Sequence, residues 1–366
     1  MEKVKVGVIG CGNISEIYLK NLKAFPMIEL AACADLDPNR AREKAERFGP
    51  VKACAPEELI GDPGLELVVN LTPPAEHARI TLAALAAGKH VYTEKPLATS
   101  REDGLRILAR AREAGLLVGS APDTFLGGGL QTCRKLLDEG WIGEPVAATA
   151  FMTCHGPEGW HPNPDFFYQP GGGPLFDMGP YYLTALVTTL GPVRRVAASC
   201  RASFPERIVT RPDAYGARIN VETPTHIAGT LDFTCGAVGT IITSFDIWAA
   251  ELPRLEIYGS EGTLSLPDPN TFGGPVRIRR QGAADWSTIP LTHRYMENSR
   301  GLGAADLAQA VRYARPARAG GDLAYHVLDI MQSLLESSSM GRHLELASGC
   351  ARPASLPMGL LDYELD

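Results

Sequence analysis

Residues 4–15 read Val4-Lys5-Val6-Gly7-Val8-Ile9-Gly10-Cys11-Gly12-Asn13-Ile14-Ser15, a β-branched run that leads into a glycine turn and the start of a helix. The run is typical of a central parallel strand, which is apolar on both faces. Gly10 and Gly12 permit a tight turn and a close approach of the backbone to a pyrophosphate, which would accept hydrogen bonds from N–H groups near Asn13 and Ile14. Ser15 replaces the usual third glycine, so an ordinary strand-turn-helix corner remains the alternative.

An acidic residue at the expected distance favours the dinucleotide interpretation. A second strand is predicted at 28–34, and Asp35 follows it about 20 residues after the glycine turn, where a carboxylate can bind ribose hydroxyls. A turn-forming aspartate is the structural alternative. We expect NAD rather than NADP, because Asp35 would repel a 2'-phosphate and Leu36 supplies no cation, although Arg40 and Arg42 lie nearby.

Composition restricts the class of protein. A chain of 366 residues predicts two domains, and a formal net charge of -7 argues against a nucleic-acid partner. We expect no membrane span or signal peptide, and therefore a cytoplasmic protein. The eight cysteines show no C-x-x-C spacing, and Cys33, Cys200 and Cys235 fall in strand-like runs, so we interpret them as buried small residues and predict no metal site.

The order of the elements predicts an α/β fold. A buried strand at 65–71 precedes Thr72-Pro73-Pro74, and a short strand at 90–93 ends in Glu94-Lys95-Pro96, at the sheet edge where ligands bind in open α/β folds. Residues 1–122 are therefore predicted to form a Rossmann domain with a doubly wound parallel sheet. Residues 123–366 contain longer alternating runs, which predict an α+β domain with a large, open, mostly antiparallel sheet.

A long helix is predicted to begin in the glycine run at 171–173 and to end at Leu190. Its leucines form an apolar stripe, while Asp177, Tyr181, Thr184 and Thr188 form a second, polar stripe. Spacing alone leaves open whether this polar stripe faces solvent or an active site.

An aromatic loop lies just upstream, at 160–168. It begins with Trp160 and His161 and is rich in proline. Such a loop could stack on a sugar ring, or it could be a buried crossing stiffened by proline.

These motifs together resemble the Gfo/Idh/MocA oxidoreductases, named for glucose-fructose oxidoreductase and inositol dehydrogenase. The resemblance covers nearly the whole chain and rests on VGVIGCGNIS, Asp35, the Thr72-Pro73-Pro74 segment with His77, Glu94-Lys95-Pro96 and GGGPLFDMGPYY. It implies hydride transfer between a nicotinamide and a sugar, polyol or related hydroxyl compound. It also implies a homo-oligomer, a dimer or tetramer, formed through the C-terminal sheet.

The resemblance also implies site residues. Lys95 and Asp177 would lie beside the substrate, and Tyr181 stands where most members have histidine. Relatives with tyrosine there use it for proton transfer, so we predict Tyr181 as the general acid/base, with Lys95 lowering its pKa. The predicted cofactor-binding residues are Gly10, Gly12, Asn13, Ile14, Asp35, Thr72, Pro73, His77, Glu94 and Lys95, and the predicted substrate-binding residues are Trp160, His161, Asp177 and Tyr181.

A second departure lies at 121–125, where many members have an arginine-containing segment, so substrate contacts there are not transferred to this chain. Two other functions compete with a sugar dehydrogenase. One is a glycosidase that retains NAD and acts by transient oxidation and elimination. The other is a dinucleotide-binding regulator without catalysis.

Overall fold

The first of two large sheets is parallel and has six strands. The computed structural model describes residues 2–366. The strands are β1 (Val4–Ile9), β2 (Ile28–Ala34), β3 (Lys52–Cys54), β4 (Leu67–Asn70), β5 (His90–Thr93) and β6 (Val118–Ser120). Their spatial order is β3-β2-β1-β4-β5-β6, so the chain reverses direction across the sheet at β1, as in a doubly wound Rossmann fold.

Five helices connect these strands. They are α1 (Ser15–Ala24), α2 (Pro38–Phe48), α3 (Pro56–Gly61), α4 (His77–Ala86) and α5 (Arg101–Ala114). Local capping explains their boundaries: the Asp37 carboxylate caps α2, the Ser100 hydroxyl caps α5, and left-handed Gly115 ends α5. The sequence pattern did not predict β3 and α3, because each is short and only partly buried.

The second large sheet has nine strands and occupies the C-terminal part. Its strands are β7 (Pro145–Thr153), β8 (Val193–Arg201), β11 (His226–Phe233), β12 (Val238–Ser244), β13 (Leu255–Gly259), β14 (Gly262–Ser265), β15 (Val276–Arg280), β16 (Ser287–Ile289) and β17 (Leu344–Glu345), while β9 (Glu206–Ile208) and β10 (Arg218–Asn220) form a separate pair. The predicted large, mostly antiparallel sheet is confirmed. Its one parallel pair, β7 with β12, brings the carboxyl ends of these two strands to the same edge.

Four helices complete the fold: α6 (Gly128–Asp138), α7 (Gly173–Leu190), α8 (Leu302–Tyr313) and α9 (Gly321–Met340). Helix α7 packs against α9 and against β7 and β12. Thr184 and Thr188, the C-terminal members of its polar stripe, are buried, and so is Tyr181. The stripe therefore does not face solvent.

The end of the chain returns to the first sheet. Helices α8 and α9 pack against β6, and Gly119 forms a β-bridge with Gly320. Arg101 at the start of α5 pairs with Asp329 at 2.6 Å and Glu336 at 2.8 Å, both on α9. These contacts join the two sheets into one continuous core.

Two features at the surface complete the description. No helix within residues 2–366 combines the length and the apolar character needed to cross a bilayer. The interpretation of Cys235 as a buried strand residue is wrong: it is exposed in the turn between β11 and β12, because the strand ends two residues earlier, at Phe233.

The burial of α7 gives a stability prediction. Leu186→Ala removes a fully buried side chain from this helix and should lower the free energy of unfolding by about 2–5 kcal/mol, measured by urea denaturation. Leu105→Ala is the matched control, because Leu105 is 51% exposed on α5, and its effect should stay within about 0.5 kcal/mol. Equal effects of the two substitutions would contradict the packing described for α7.

Candidate active site

The glycine turn after β1 has the geometry that a pyrophosphate requires. Gly10 has a φ of 100°, and a Cβ there would lie 2.7 Å from the Leu71 backbone. A Cβ on Gly12, in contrast, would meet nothing within 4 Å. Asn13 and Ile14 are exposed beside this space, at the start of α1. The turn and the helix N-terminus therefore fit the diphosphate of a dinucleotide.

The Asp35 carboxylate connects the ribose position to the same turn. Its Oδ2 accepts a hydrogen bond from the Cys11 N–H at 2.7 Å, and its Oδ1 accepts one from the Asp37 N–H at 2.9 Å. The two nearby cations are directed elsewhere, because Arg40 pairs with Asp37 and Arg42 donates to the Pro38 carbonyl. Neither arginine forms an ion pair with Asp35 within residues 2–366, and the role of Asp35 at the ribose stays a prediction.

His77, which the sequence predicted to bind the cofactor, is buried, and its ring contacts two backbone carbonyls. It is 1% exposed, with Nδ1 2.6 Å from the Pro96 carbonyl oxygen and Nε2 2.8 Å from the Thr72 carbonyl oxygen. Burial lowers the pKa of its imidazole. Because a neutral imidazole has a single N–H, His77 donates to one of these two carbonyls; it lies between the loops of Thr72 and Lys95, and its cofactor-binding role stays a prediction. Pro73, beside Thr72, is exposed.

Lys95 and Asp177 meet between the two sheets. The Lys95 ammonium donates to Asp177 Oδ1 at 2.8 Å and to the Asp177 backbone carbonyl at 2.6 Å. Burial alone lowers the pKa of Lys95, but the charge of Asp177 and its hydrogen bond to the ammonium, together with the charge of Glu94, outweigh burial, and the net shift is upward. Lys95 is therefore a permanent cation at neutral pH.

Glu94 holds the lysine loop in place. One carboxylate oxygen accepts from the Tyr18 hydroxyl on α1 at 2.7 Å, and the other accepts from the Lys95 N–H at 2.9 Å. The predicted cofactor-binding role of Glu94 stays a prediction.

Tyr181 lies one turn after Asp177 and is 7% exposed. The Lys95 ammonium is 5.4 Å from the centroid of its ring. Burial raises the pKa of the Tyr181 phenol, and although Lys95 and Arg300 act to lower it, the net shift is upward. Lys95 thus acts in the predicted direction, but the expectation of a lowered pKa is wrong, because loss of solvation outweighs the cation.

Arg300 is a site residue that sequence reasoning missed. Its guanidinium lies beside the Tyr181 phenol and donates to Asn270 Oδ1 at 2.6 Å. Its position depends on buried Asp123, whose Oδ2 accepts from the N–H groups of Gly301 at 2.9 Å and Gly303 at 3.0 Å. No local sequence signal indicates this role, since the contacts join distant parts of the chain.

Asp123 itself has an unusual charge environment. Burial raises the pKa of its carboxyl group to about 6, against the opposing effect of its two backbone hydrogen bonds. Through its hydrogen bonds to the Gly301 and Gly303 N–H groups, Asp123 gives a structural role to the 121–125 segment, which departs from the family pattern.

Trp160 and His161 lie on the loop before α7. Trp160 is 67% exposed and packs edge-on against His161, with ring centroids 5.3 Å apart. His161 in turn packs against Phe166 and Phe167, and its carbonyl accepts from Arg211. These contacts do not reach the Lys95 group, so the substrate-binding role of Trp160 and His161 stays a prediction.

Comparison with known proteins identifies the family of the chain. A family model for the oxidoreductase family with an NAD-binding Rossmann fold matches residues 4–121, and a model for the GFO/IDH/MocA C-terminal domain matches residues 130–265. The chain is 30% identical over 314 residues to dTDP-3,4-didehydro-2,6-dideoxy-alpha-D-glucose 3-reductase of Actinomadura kijaniata, which covers 83% of this chain and 88% of that protein.

Two further proteins show the same pattern. The chain is 31% identical to 1,5-anhydro-D-fructose reductase of Ensifer adhaerens, covering 78% of this chain and 82% of that one. The solved complex of levoglucosan dehydrogenase with NADH and L-sorbose has a TM-score of 0.82 at 21% identity, covering 95% and 100% of the two chains, a likeness that concerns the fold. The chain therefore belongs to the Gfo/Idh/MocA family of oxidoreductases, and its N-terminal sheet is an NAD-binding Rossmann fold.

Proposed function

We propose that the protein transfers a hydride between NAD and a secondary hydroxyl or ketone of a sugar, polyol or glycoside. The observation that supports this most is the contact of Lys95 with Asp177 beneath Tyr181. It brings a cation, a carboxylate and a phenol together beside a strand end of the nucleotide-binding sheet. Relatives named as sugar reductases support the substrate class.

The proposed division of roles follows from protonation. NAD, when bound, accepts the hydride in oxidation and returns it in reduction. Tyr181 takes the hydroxyl proton in oxidation and donates a proton to the carbonyl oxygen in reduction. Its raised pKa keeps the phenol protonated at neutral pH, which suits the donating role, while oxidation requires higher pH.

Lys95 and Asp177 have supporting roles in this proposal. Lys95 stabilises negative charge on the phenol and on the substrate oxygen, and its raised pKa makes it a poor proton donor. Asp177 Oδ1 fixes the ammonium, while Asp177 Oδ2, which accepts no hydrogen bond within residues 2–366, is left to accept one from a substrate hydroxyl. Trp160 and His161 would border the substrate on the loop side.

One experiment separates this function from its two rivals. The purified protein is incubated with NAD and a panel of sugars, polyols and p-nitrophenyl glycosides, while reduced cofactor and released nitrophenol are both followed. A dehydrogenase accumulates reduced cofactor. A glycosidase of this fold releases nitrophenol without net reduction, and a regulator does neither.

The C-terminal sheet also presents a surface for self-association. Alternate residues along β11 and β12 are buried, while those on the opposite face are exposed or partly exposed. We propose that this open face forms the contact of a homo-oligomer, in keeping with the family resemblance.

Tyr181 gives a prediction for proton transfer. Tyr181→Phe should fold and bind NAD normally but lose roughly two or more orders of magnitude in kcat, because the proton-transferring hydroxyl is gone. Tyr182→Phe, the neighbouring buried phenol, should remain close to wild type. A loss of less than about tenfold in Tyr181→Phe, combined with no turnover in Lys95→Met, would instead assign the transfer to the lysine.

Arg300 gives a prediction for pH dependence. Oxidation needs the deprotonated phenol, so its rate rises with pH through the pKa of Tyr181. Arg300→Met removes a cation that lowers this pKa, and the midpoint of the kcat profile should move upward by roughly one pH unit. Arg300→Lys should restore part of the shift. Arg294→Met, which removes an exposed arginine paired with Asp362, is the control and should leave the midpoint in place.

Asp35 gives a prediction for cofactor choice. We propose that NAD is preferred, and Asp35→Ala should raise the KM for NAD at least about tenfold, through loss of a charged hydrogen bond, and relax discrimination against NADP. Asp103→Ala, which removes a carboxylate paired with Arg106 on α5, is the control and should leave the preference unchanged. A wild-type enzyme that prefers NADP several-fold would refute this role of Asp35.

A further inference from the structure

Two aromatic rings form a stack at one edge of the nine-stranded sheet. His155 follows the carboxyl end of β7, and Trp248 follows the carboxyl end of β12, the parallel neighbour of β7. Their ring centroids are 3.4 Å apart, with an interplanar angle of 13°. Trp248 is 82% exposed, so the face turned away from His155 is open. We call this pair the aromatic shelf.

The backbone beneath the aromatic shelf is firmly held. The Cys154 N–H donates to the Ser244 carbonyl at 3.0 Å, and the Ile247 N–H donates to the Cys154 carbonyl at 3.1 Å. Buried Arg207 also donates to the His155 carbonyl at 2.8 Å and pairs with Asp246 at 2.8 Å. The shelf is thus formed before any ligand binds, which lowers the ordering cost of binding.

The position of the aromatic shelf relative to Asp177 follows from the packing of α7. Helix α7, which bears Asp177, packs against both β7 and β12. A Cβ on Gly173, the first residue of α7, would lie 2.9 Å from the Pro224 carbonyl oxygen, and the hydroxyl of the next residue, Thr225, donates to Asp246 Oδ2 at 2.7 Å, two residues before Trp248. The end of α7 that bears Asp177 therefore lies at the same end of the nine-stranded sheet as the aromatic shelf.

The charges around the shelf favour a neutral ligand. Arg207 is already paired with Glu158 and Asp246, and Arg254 is paired with Asp268 at 3.2 Å. Burial lowers the pKa of His155, so its ring is neutral at neutral pH. A phosphate group would have no unpaired arginine to bind, because both arginines already pair with carboxylates. The apolar face of a sugar ring, in contrast, packs well on an exposed indole.

We propose that the aromatic shelf of His155 and Trp248 binds a second, neutral pyranose ring, joined by a glycosidic bond to the ring that reacts at Lys95, Asp177 and Tyr181. The proposal rests on the proposed function and extends it: the substrate is a disaccharide or longer glycoside. It makes Trp248 a determinant of specificity that does not take part in the chemistry.

Kinetics with sugars of different length test the proposal. The wild type and Trp248→Ala are compared on D-glucose and on cellobiose, maltose and lactose at saturating NAD. Loss of the stacking face should lower kcat/KM for at least one disaccharide about tenfold while changing that for glucose less than about twofold. Trp248→Phe should retain most of the disaccharide activity. Trp286→Ala, a half-exposed tryptophan beside β16, is the matched control and should match wild type on every sugar.

A binding measurement separates this proposal from the proposed function. Quenching of tryptophan fluorescence by the same disaccharides is measured with NAD present in the Tyr181→Phe variant. The measurement is repeated in the double variant that carries both Tyr181→Phe and Trp248→Ala. If the wild type oxidises no sugar but quenching depends on Trp248, the shelf stands and the proposed function fails. The shelf proposal is overturned if quenching does not depend on Trp248, or if Trp248→Ala affects glucose and disaccharides equally. It is also overturned if Trp248→Ala changes only the molecular mass in solution, which would make the residue a subunit contact.

Discussion

The contact between Lys95 and Asp177 is the interaction on which the organisation of the site depends. It joins the end of β5 in the nucleotide-binding sheet to α7, which lies on the other sheet. Both side chains are mostly withdrawn from solvent, at 17% and 25% exposure, so each charge requires the other. Removing either partner would leave an unpaired charge that is mostly withdrawn from solvent. The contact therefore fixes both the relative position of the two elements and the ionised state of the lysine.

That ionised state determines what the neighbouring phenol can do. Tyr181 is nearly buried, and burial opposes its ionisation, while Lys95 and Arg300 favour it. The phenol therefore stays protonated at neutral pH, and a further positive charge nearby would lower its pKa. In the proposed function, the positive charge of an oxidised nicotinamide beside Tyr181 would also favour the phenolate, and the same residues would serve both directions of hydride transfer.

The site is completed by parts of the chain that are far apart in sequence. Asp123, just after β6, binds the backbone N–H groups that begin α8, and Asn21 on α1 donates to the Arg300 carbonyl at 2.9 Å. Unsatisfied N–H groups at a helix start need an acceptor, and a buried carboxylate supplies one. This requirement places Arg300 beside Tyr181. The return of the chain to the first sheet therefore also brings a cation that acts to lower the pKa of the Tyr181 phenol.

The sequence by itself determined the features that depend on local patterns. The strand, glycine turn and acid of residues 4–35 predicted the Rossmann fold, and the glycine run with its leucine stripe predicted α7, because burial periodicity and backbone freedom are local properties. Only the tertiary structure decided that the polar stripe of α7 is buried, that the His77 ring contacts backbone carbonyls, that Arg300 lies beside Tyr181, and that His155 stacks on Trp248. It also reversed the expected direction of the Tyr181 pKa shift. Desolvation and long-range contacts depend on which distant residues enclose a group. The spacing of residues along the chain does not reveal which residues these are.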